Sequence, residues 1–428
     1  MSASAVDAGS SCPGTRTGDD SRRTMALMGV MMGGAGTVDA LTATMIPITA
    51  RHFTDDAGLI AVLVALNRVC GFVVQPYVAW KSDRYVSHRG RRRPFLLVAW
   101  PVTLFAVGAL GVLPMIVPEE IQHTVFLLGL LFLVNLALQA TLDACYGAAD
   151  PLYGDTFAAR ELGRAQGARV IASNAIVFSM TAFFVPLADI HEFYPYLGSM
   201  FFLGVSTLIA MFFLSERVPS VLPKPERYHP LKPLRELANP HTRHVALVAS
   251  AVLVTLGVTE MLHALFVTET LGFSKTVLGL STAASLVIGV IFSYPLGVLV
   301  DRWGGRRVLV VGFAAMMLVE LGFVFWVDDL VSLSITLILF KIAWLVVHIP
   351  VVPLMFQGTP EEHRGSVFAA VQMTRAGATS AAVIAAGFLV DYVGSYRMCY
   401  LVGAAVCLIG LYGALRLRPD KVGKGIVV

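Results

Sequence analysis

Residues 276–307 read TVLGLSTAASLVIGVIFSYPLGVLVDRWGGRR. No charge interrupts the stretch from Thr276 to Leu299, and then Asp301, Arg302, Arg306 and Arg307 fall close together. A helix that crosses a bilayer needs about 20 mainly apolar residues, because a rise of about 1.5 Å per residue must cover about 30 Å of hydrocarbon. The run meets that length, and the charged turn marks where the chain leaves the lipid. Runs of the same kind recur at 25–49, 57–80, 95–117, 122–147, 165–188, 194–214, 243–267, 308–327, 330–354, 366–390 and 397–416. The pattern predicts an all-α membrane protein of twelve transmembrane helices.

Composition agrees. The 428 residues are 56% hydrophobic and 14% charged, with a mean hydropathy of +0.73. A soluble domain carries about 25% charged residues. A chain this apolar cannot cover itself with polar surface, so lipid is its solvent. The net charge of +4 is too small to signal a nucleic-acid partner. Of five cysteines, Cys12 lies in a polar stretch and Cys70, Cys145, Cys399 and Cys407 lie in apolar runs. None forms a CxxC pair, so buried free thiols are expected rather than disulfides or a zinc site.

The longest internal polar stretch, about 215–242, holds Pro219, Pro223, Pro225, Pro230, Pro233 and Pro240 among Lys, Arg and Glu. It reads as a linker between two six-helix bundles, 24–214 and 243–417. Residues 1–23 and 418–428 read as polar tails, the first one disordered and without a cleavable signal peptide. Of the 32 Lys and Arg residues, 26 fall in the tails, the linker and the even-to-odd loops. Only Arg51, Lys275 and Arg397 fall on the other side, and Arg68, Lys341 and Arg375 lie within helices. The positive-inside rule then places both termini in the cytoplasm, which requires an even number of spans.

The two halves repeat each other. Ser82-Asp83-Arg84 followed by Gly90-Arg91-Arg92-Arg93 in the first half matches Asp301-Arg302-Trp303-Gly304-Gly305-Arg306-Arg307 in the second. Arg164 follows helix 4 as Arg364 follows helix 10. This duplicated loop resembles the cytoplasmic signature of the major facilitator superfamily. The resemblance implies a 6+6 parallel repeat and alternating access around a midplane cavity lined by helices 1, 4, 7 and 10. It also implies that Asp83, Arg84, Gly90, Arg91, Asp301, Arg302, Gly304 and Arg306 form a conformational switch rather than a solute site. The first copy, QPYVAWKSDRYVSHRGRRRPF at 75–95, is similar to sucrose carriers and to glycoside–pentoside–hexuronide cation symporters. Sucrose-type carriers place an Arg a few residues after a Gln in helix 4; here Gln139 is followed by Asp143. An acid in that place favours a cationic solute over a sugar.

A charge at the bilayer centre costs at least about 2.5–3.5 kcal/mol on insertion scales, so it needs a partner or a purpose. Asp39 and Arg68 are expected at similar depth in helices 1 and 2, close enough to pair. Asp39 and Asp143 are the expected protonation or solute site, with Arg68, Glu260, His263, Lys341 and Arg375 around them. Glu260 and His263 are three residues apart and share a face of helix 7. Glu320 in helix 9 is expected to snorkel or pair, and His348 to sit structurally beside Pro350. Asp, Glu and His from helices 1, 4 and 7, with Met261, form an alternative donor set for a transition metal such as iron. No phosphate-cradling loop or catalytic arrangement is legible, so gradient-driven transport is expected, without cofactor and not as an enzyme. The expected partners are a small molecule or ion, protons and the lipid of a bacterial inner membrane or a membrane derived from it, with the chain acting as a monomer. A receptor or scaffold that kept the fold but lost transport is the other alternative.

Overall fold

The computed structural model describes residues 18–85, 87, 90–156, 162–213, 229–356 and 364–417. Their long helices are α1 (Gly18–Thr44), α2 (Ala57–Arg84), α3 (Arg93–Ile116), α4 (Val125–Thr156), α5 (Leu162–Ser179) and α6 (Phe193–Phe212) in the first half. The second half contributes α7 (Pro240–Met261), α8 (Lys275–Trp303), α9 (Gly305–Phe325), α10 (Leu330–His348), α11 (Arg364–Val393) and α12 (Arg397–Arg416). Eleven of them are long and apolar enough to cross a membrane; the apolar part of α6, Phe193–Ile209, is shorter. No strand occurs among the described residues.

Local chemistry sets the helix ends. Asp56 caps α2 by accepting the Leu59 N–H at 2.9 Å. Asn239 caps α7 just ahead of Pro240, whose missing N–H and fixed φ suit a first turn. Asp329 and Ser332 form a reciprocal capping box on α10. At the other end, α8 stops at Gly304, which has φ +82, and the matching turn of the first half contains Gly90 with φ +100. Side chains rarely adopt that left-handed backbone, so the duplicated motif needs glycine for its turn.

The inner helices bend near one face. Helix α1 breaks at Met45 and resumes as Ile46–Arg51; α7 breaks at Leu262 and continues through His263–Leu265 into a π turn at Phe266–Thr270. Helix α5 likewise passes into a π turn at Met180–Phe184 and a 3-10 turn at Pro186–Asp189. Broken helices leave backbone groups unsatisfied, and in membrane proteins such breaks sit where protein or a cavity receives them. We call the face where these breaks lie distal and the opposite one, where α1 starts and α12 ends, terminal.

The halves meet along α2 against α11 and along α8 against the end of α5. The first crossing is close: a Cβ on Gly58 would come within 2.5 Å of the Phe388 ring. Backbones approach this nearly only where small residues stand at the seam.

Candidate functional site

Between the halves lies a cavity of about 210 Å³, lined by Asp39, Thr42, Asn67 and Arg68 on one side and Gly257, Glu260, Met261 and Val383 on the other. Asp39 is open to this cavity although it lies deep within α1. The Tyr146 hydroxyl donates to Asp39 Oδ2 at 2.6 Å and the Asn67 amide donates to Oδ1 at 3.2 Å. The expected ion pair with Arg68 is not formed; neutral donors from α2 and α4 hold the carboxylate instead. Asn67 also donates to Gln139 at 3.0 Å, and Gln139 donates to Thr42 at 3.2 Å and to Asn135 at 3.3 Å. These amides tie α1, α2 and α4 into one polar wall.

A second chamber, of about 350 Å³, continues from Asn67 and Arg68 toward the terminal face. Gln75, Pro76 and Ala79 line it from the later turns of α2, and Phe368, Gln372 and Arg375 from the first turns of α11. Asp143 and Asp150 line it from α4. Asp143 is 8% exposed, and its Oδ2 is buried without a hydrogen-bond partner among the described residues. Asp150 is held by Arg169 at 2.7 Å.

Glu260, His263 and Lys341 meet in a third space, of about 80 Å³, with Ser281, Thr282 and Ser285 of α8. His263 and the Tyr400 hydroxyl are 2.8 Å apart, within a cluster that includes Phe266 and Phe323. Lys341 lies over the Trp344 ring at 4.6 Å, and the His348 ring stacks on Trp344 at 4.4 Å. The structure thus gathers Asp39, Arg68 and Glu260 in one cavity, Asp143 and Arg375 with Arg68 in the next, and His263 and Lys341 with Glu260 in the third.

Glu320 corrects an expectation. It neither snorkels nor forms an ion pair: it is 0% exposed, and the Thr259 hydroxyl donates to it at 2.7 Å. Helix α12 approaches it so closely that a Cβ on Gly403 would lie 2.9 Å from its carboxyl carbon. The donor set of the metal reading is not gathered either: no three His, Cys, Asp or Glu side chains assemble as ligands among the described residues. Cys70, Cys145, Cys399 and Cys407 are buried free thiols.

On the distal face the halves are latched by groups that the sequence reading missed. Asp391, at the end of α11, accepts the backbone N–H of Ala57 at 2.6 Å and of Gly58 at 2.5 Å, the first two residues of α2. Asp189, at the end of the α5 segment, accepts the N–H groups of Lys275 and Thr276, the first two residues of α8, each at 2.9 Å. The two clasps are the same arrangement displaced by six helices. Each sets a carboxylate on the positive end of a helix in the other half. Arg51 adds a bridge to Glu269 at 3.0 Å, and the Tyr396 hydroxyl donates to Glu269 at 2.8 Å. Glu192 joins His52, at 2.8 Å, to Lys275 of the other half. Burial of Glu192 alone would raise its pKa; hydrogen bonds and charge from His52 and Lys275 outweigh it and hold the group down at about 2. A sequence signal did exist: each clasp acid lies near the end of an apolar run.

On the terminal face the signature loops act on helix ends. Arg306 donates to the Leu415 carbonyl in the last turn of α12 at 2.8 Å, and Arg93 donates to the Met211 carbonyl in the last turn of α6. Cations there complement the negative end of a helix. Arg84 lies on the Trp80 ring at 4.9 Å, and Arg92 donates to Ser82 at 3.3 Å. Arg91 is buried and Arg302 exposed. The Asp83 and Asp301 side chains, with residues 86, 88 and 89, lie outside the described residues.

Comparison with known proteins accords with this architecture. The chain covers 91% of its length on a mutant of the nucleoside transporter NupG, matching 99% of that chain with a TM-score of 0.70 at 12% identity. A bacterial homolog of the human lysosomal transporter Spinster, inward-facing and occupied, matches over 93% of this chain and 96% of its own with a TM-score of 0.67 at 12% identity. A bacterial homologue of the iron transporter ferroportin, inward-facing, matches over 92% and 97% with a TM-score of 0.67 at 16% identity. At such identities the likeness is one of fold alone. No curated protein matches by sequence. A family model described as Major Facilitator Superfamily matches residues 25–383, with a second match at 247–426. Twofold helix architecture, a charged cavity at the seam and the duplicated loop motif thus converge with that match: the chain belongs to the major facilitator superfamily.

Proposed function

We propose that this protein is a secondary active transporter that moves a small polar solute by alternating access, coupled to protons. The observation that carries the reading is the cavity at the seam, where Asp39 and Arg68 of one half face Glu260 of the other. Charges in a bilayer are costly. A cavity that spans two rocking bodies gives them a purpose. In this reading α6 is the twelfth span, and both termini are cytoplasmic. The distal latches then close the outer side, and the chamber below Arg68 opens inward. The ferroportin homologue supports that assignment: its inward-facing form fits with a TM-score of 0.67 and its outward-facing form with 0.59. Asp39 and Asp143 serve as the proton or solute carboxylates, and Glu260 with Lys341 forms the facing wall. Asp83 and Asp301, with the arginines beside them, act in the switch between states, the arginines holding helix ends on the terminal face.

The test is reconstitution of the purified chain in liposomes loaded with a pH-sensitive dye. Sugars, organic cations, organic anions and divalent metals are added outside one at a time. A solute that enters and moves protons with it supports the reading. A solute that binds but moves neither itself nor protons contradicts it and favours a receptor.

A further inference from the structure

The chamber below the central cavity holds two guanidinium groups without a contact-distance partner among the described residues. Arg68 comes from α2 and Arg375 from α11, so they approach from opposite halves into one space of about 350 Å³. Neither makes a hydrogen bond or ion pair through its side chain among the described residues. Arg remains charged in proteins, and its planar fork of donors matches an oxyanion two bonds at a time. Two such groups facing one membrane-embedded space repel each other until an anion lies between them.

The acids of the chamber do not lie between the two arginines as direct partners. Asp150 is engaged by Arg169 at 2.7 Å. Asp143 is 8% exposed and packs against Gly71, where an added Cβ would lie 3.4 Å from its Oδ1. It makes no contact-distance ion pair with either arginine among the described residues, although the Arg68 charge acts on it through space. Gln75 of α2 and Gln372 of α11 also line the chamber, one from each half. The volume suits a small molecule.

We infer that Arg68 and Arg375 form an anion clamp, and that the solute carries a carboxylate- or phosphate-type oxyanion. This rests on the transporter reading and names its substrate class. It replaces the cationic solute expected from Asp143 in the sequence. The clamp also explains why the arginines stand on opposite halves: an oxyanion bridging them ties α2 to α11 across the seam, so binding favours closure of the terminal face.

The test uses the full chain in lipid nanodiscs and probes that share a skeleton: gluconate, glucose and glucosamine, with glycerol 3-phosphate and glycerol as a second set. Gluconate or glycerol 3-phosphate should raise the melting temperature by mass action at millimolar concentration, while the neutral and cationic members do not. Which anion binds tells carboxylate from phosphate. Arg68→Gln and Arg375→Gln should each weaken that binding about tenfold or more, and Arg375→Lys, which keeps the charge but loses the fork, should fall between. The clamp is overturned if glucose or glucosamine binds more tightly than gluconate, if neither anion binds, or if both Gln variants bind the anion as the parent does. Should the Gln variants fail to fold, the probe comparison on the parent chain decides alone. Uptake into proteoliposomes is read separately: binding without movement sinks the transporter reading and leaves the clamp, whereas movement of glucose sinks the clamp and leaves the transporter.

Discussion

The Asp391 carboxylate accepts the Gly58 N–H at 2.5 Å across the seam between the halves, and it has a twin in Asp189 on Thr276 at 2.9 Å. Neither contact is a side-chain salt bridge. Each places an anion on the exposed N–H groups of a helix start, so its strength depends on the carboxylate charge and on the alignment of two helices. Both must break when the distal face opens.

Asp391→Asn and Asp189→Asn should therefore favour the distal-open state. An amide keeps the shape but removes the charge that complements the helix end. A charge of this kind contributes about 0.3–1 kcal/mol at an exposed site, so each variant should shift the balance by roughly two- to fivefold. The clasps are separate, so their effects should multiply. Spin-label distances between the distal ends of α1 and α7 measure the balance. An unchanged distribution in the double variant would show that the clasps merely accompany closure.

Much of the fold was legible because lipid imposes one crude requirement, a long apolar run, and the sequence meets it repeatedly. The loop motif added the twofold repeat. The site was legible as a set of charges in apolar helices, but not as pairs. Depth along a helix places Asp39 beside Arg68; rotation about the axis, which sequence leaves open, turns Asp39 toward Asn67 and Tyr146 instead. Glu320 differs for a related reason: an acid in an apolar helix reads as one that snorkels or pairs, yet that residue faces Thr259 and Gly403 inside its own half. The clasps were hidden because acids at helix ends are commonplace. Only the crossing of α11 over the start of α2 gives Asp391 its task.

Glu192 should stay charged across the neutral range, so its own protonation should not release the distal latch there. Its pKa is held at about 2, below the ordinary 4.5. A depressed carboxylate contributes stability above its ordinary value and loses it as pH falls through the folded-state value. Its contribution is thus complete above about pH 5 and fades only toward pH 2. The contribution is modest, since the carboxylate is one-third exposed. Glu192→Gln should loosen the latch at every pH above that window. The same spin-label distances, followed from pH 8 to pH 5, should show no transition in the parent that arises from protonation of Glu192. A transition near pH 6–7 that Glu192→Gln abolishes would refute the assignment.

The topology is open to a direct check. With 26 Lys and Arg residues on the side of the termini and three opposite, reporter fusions at residue 428 and after residue 190 should give opposite sidedness, the former cytoplasmic. The fusion after 190 also tests α6 as the twelfth span, because the following helix is the one whose apolar part is short. Equal sidedness at the two sites would remove a span and overturn the assignment of the latches to the outer face.

Coupling is expected to rest on Asp39. It is the one acid of α1 that opens on the central cavity, and its partners Tyr146 and Asn67 are neutral donors that can hold either a carboxylate or a carboxylic acid by reorienting. A residue locked to an arginine would not have that freedom. Asp39→Asn fixes the uncharged form. It should abolish uphill, pH-driven accumulation of the solute, because no proton is then bound and released in each cycle. Exchange between equal solute pools needs no net proton movement and should stay within a few-fold of the parent. Asp143→Asn gives the contrast: its carboxylate lines the lower chamber beside Arg68 and Arg375, so its loss should alter affinity for the solute. The measurement is transport in proteoliposomes with and without an imposed pH gradient. If Asp39→Asn still concentrates its solute as the parent does, Asp39 only supports the amide network of α1, α2 and α4, and the coupling acid is Asp143 or Glu260.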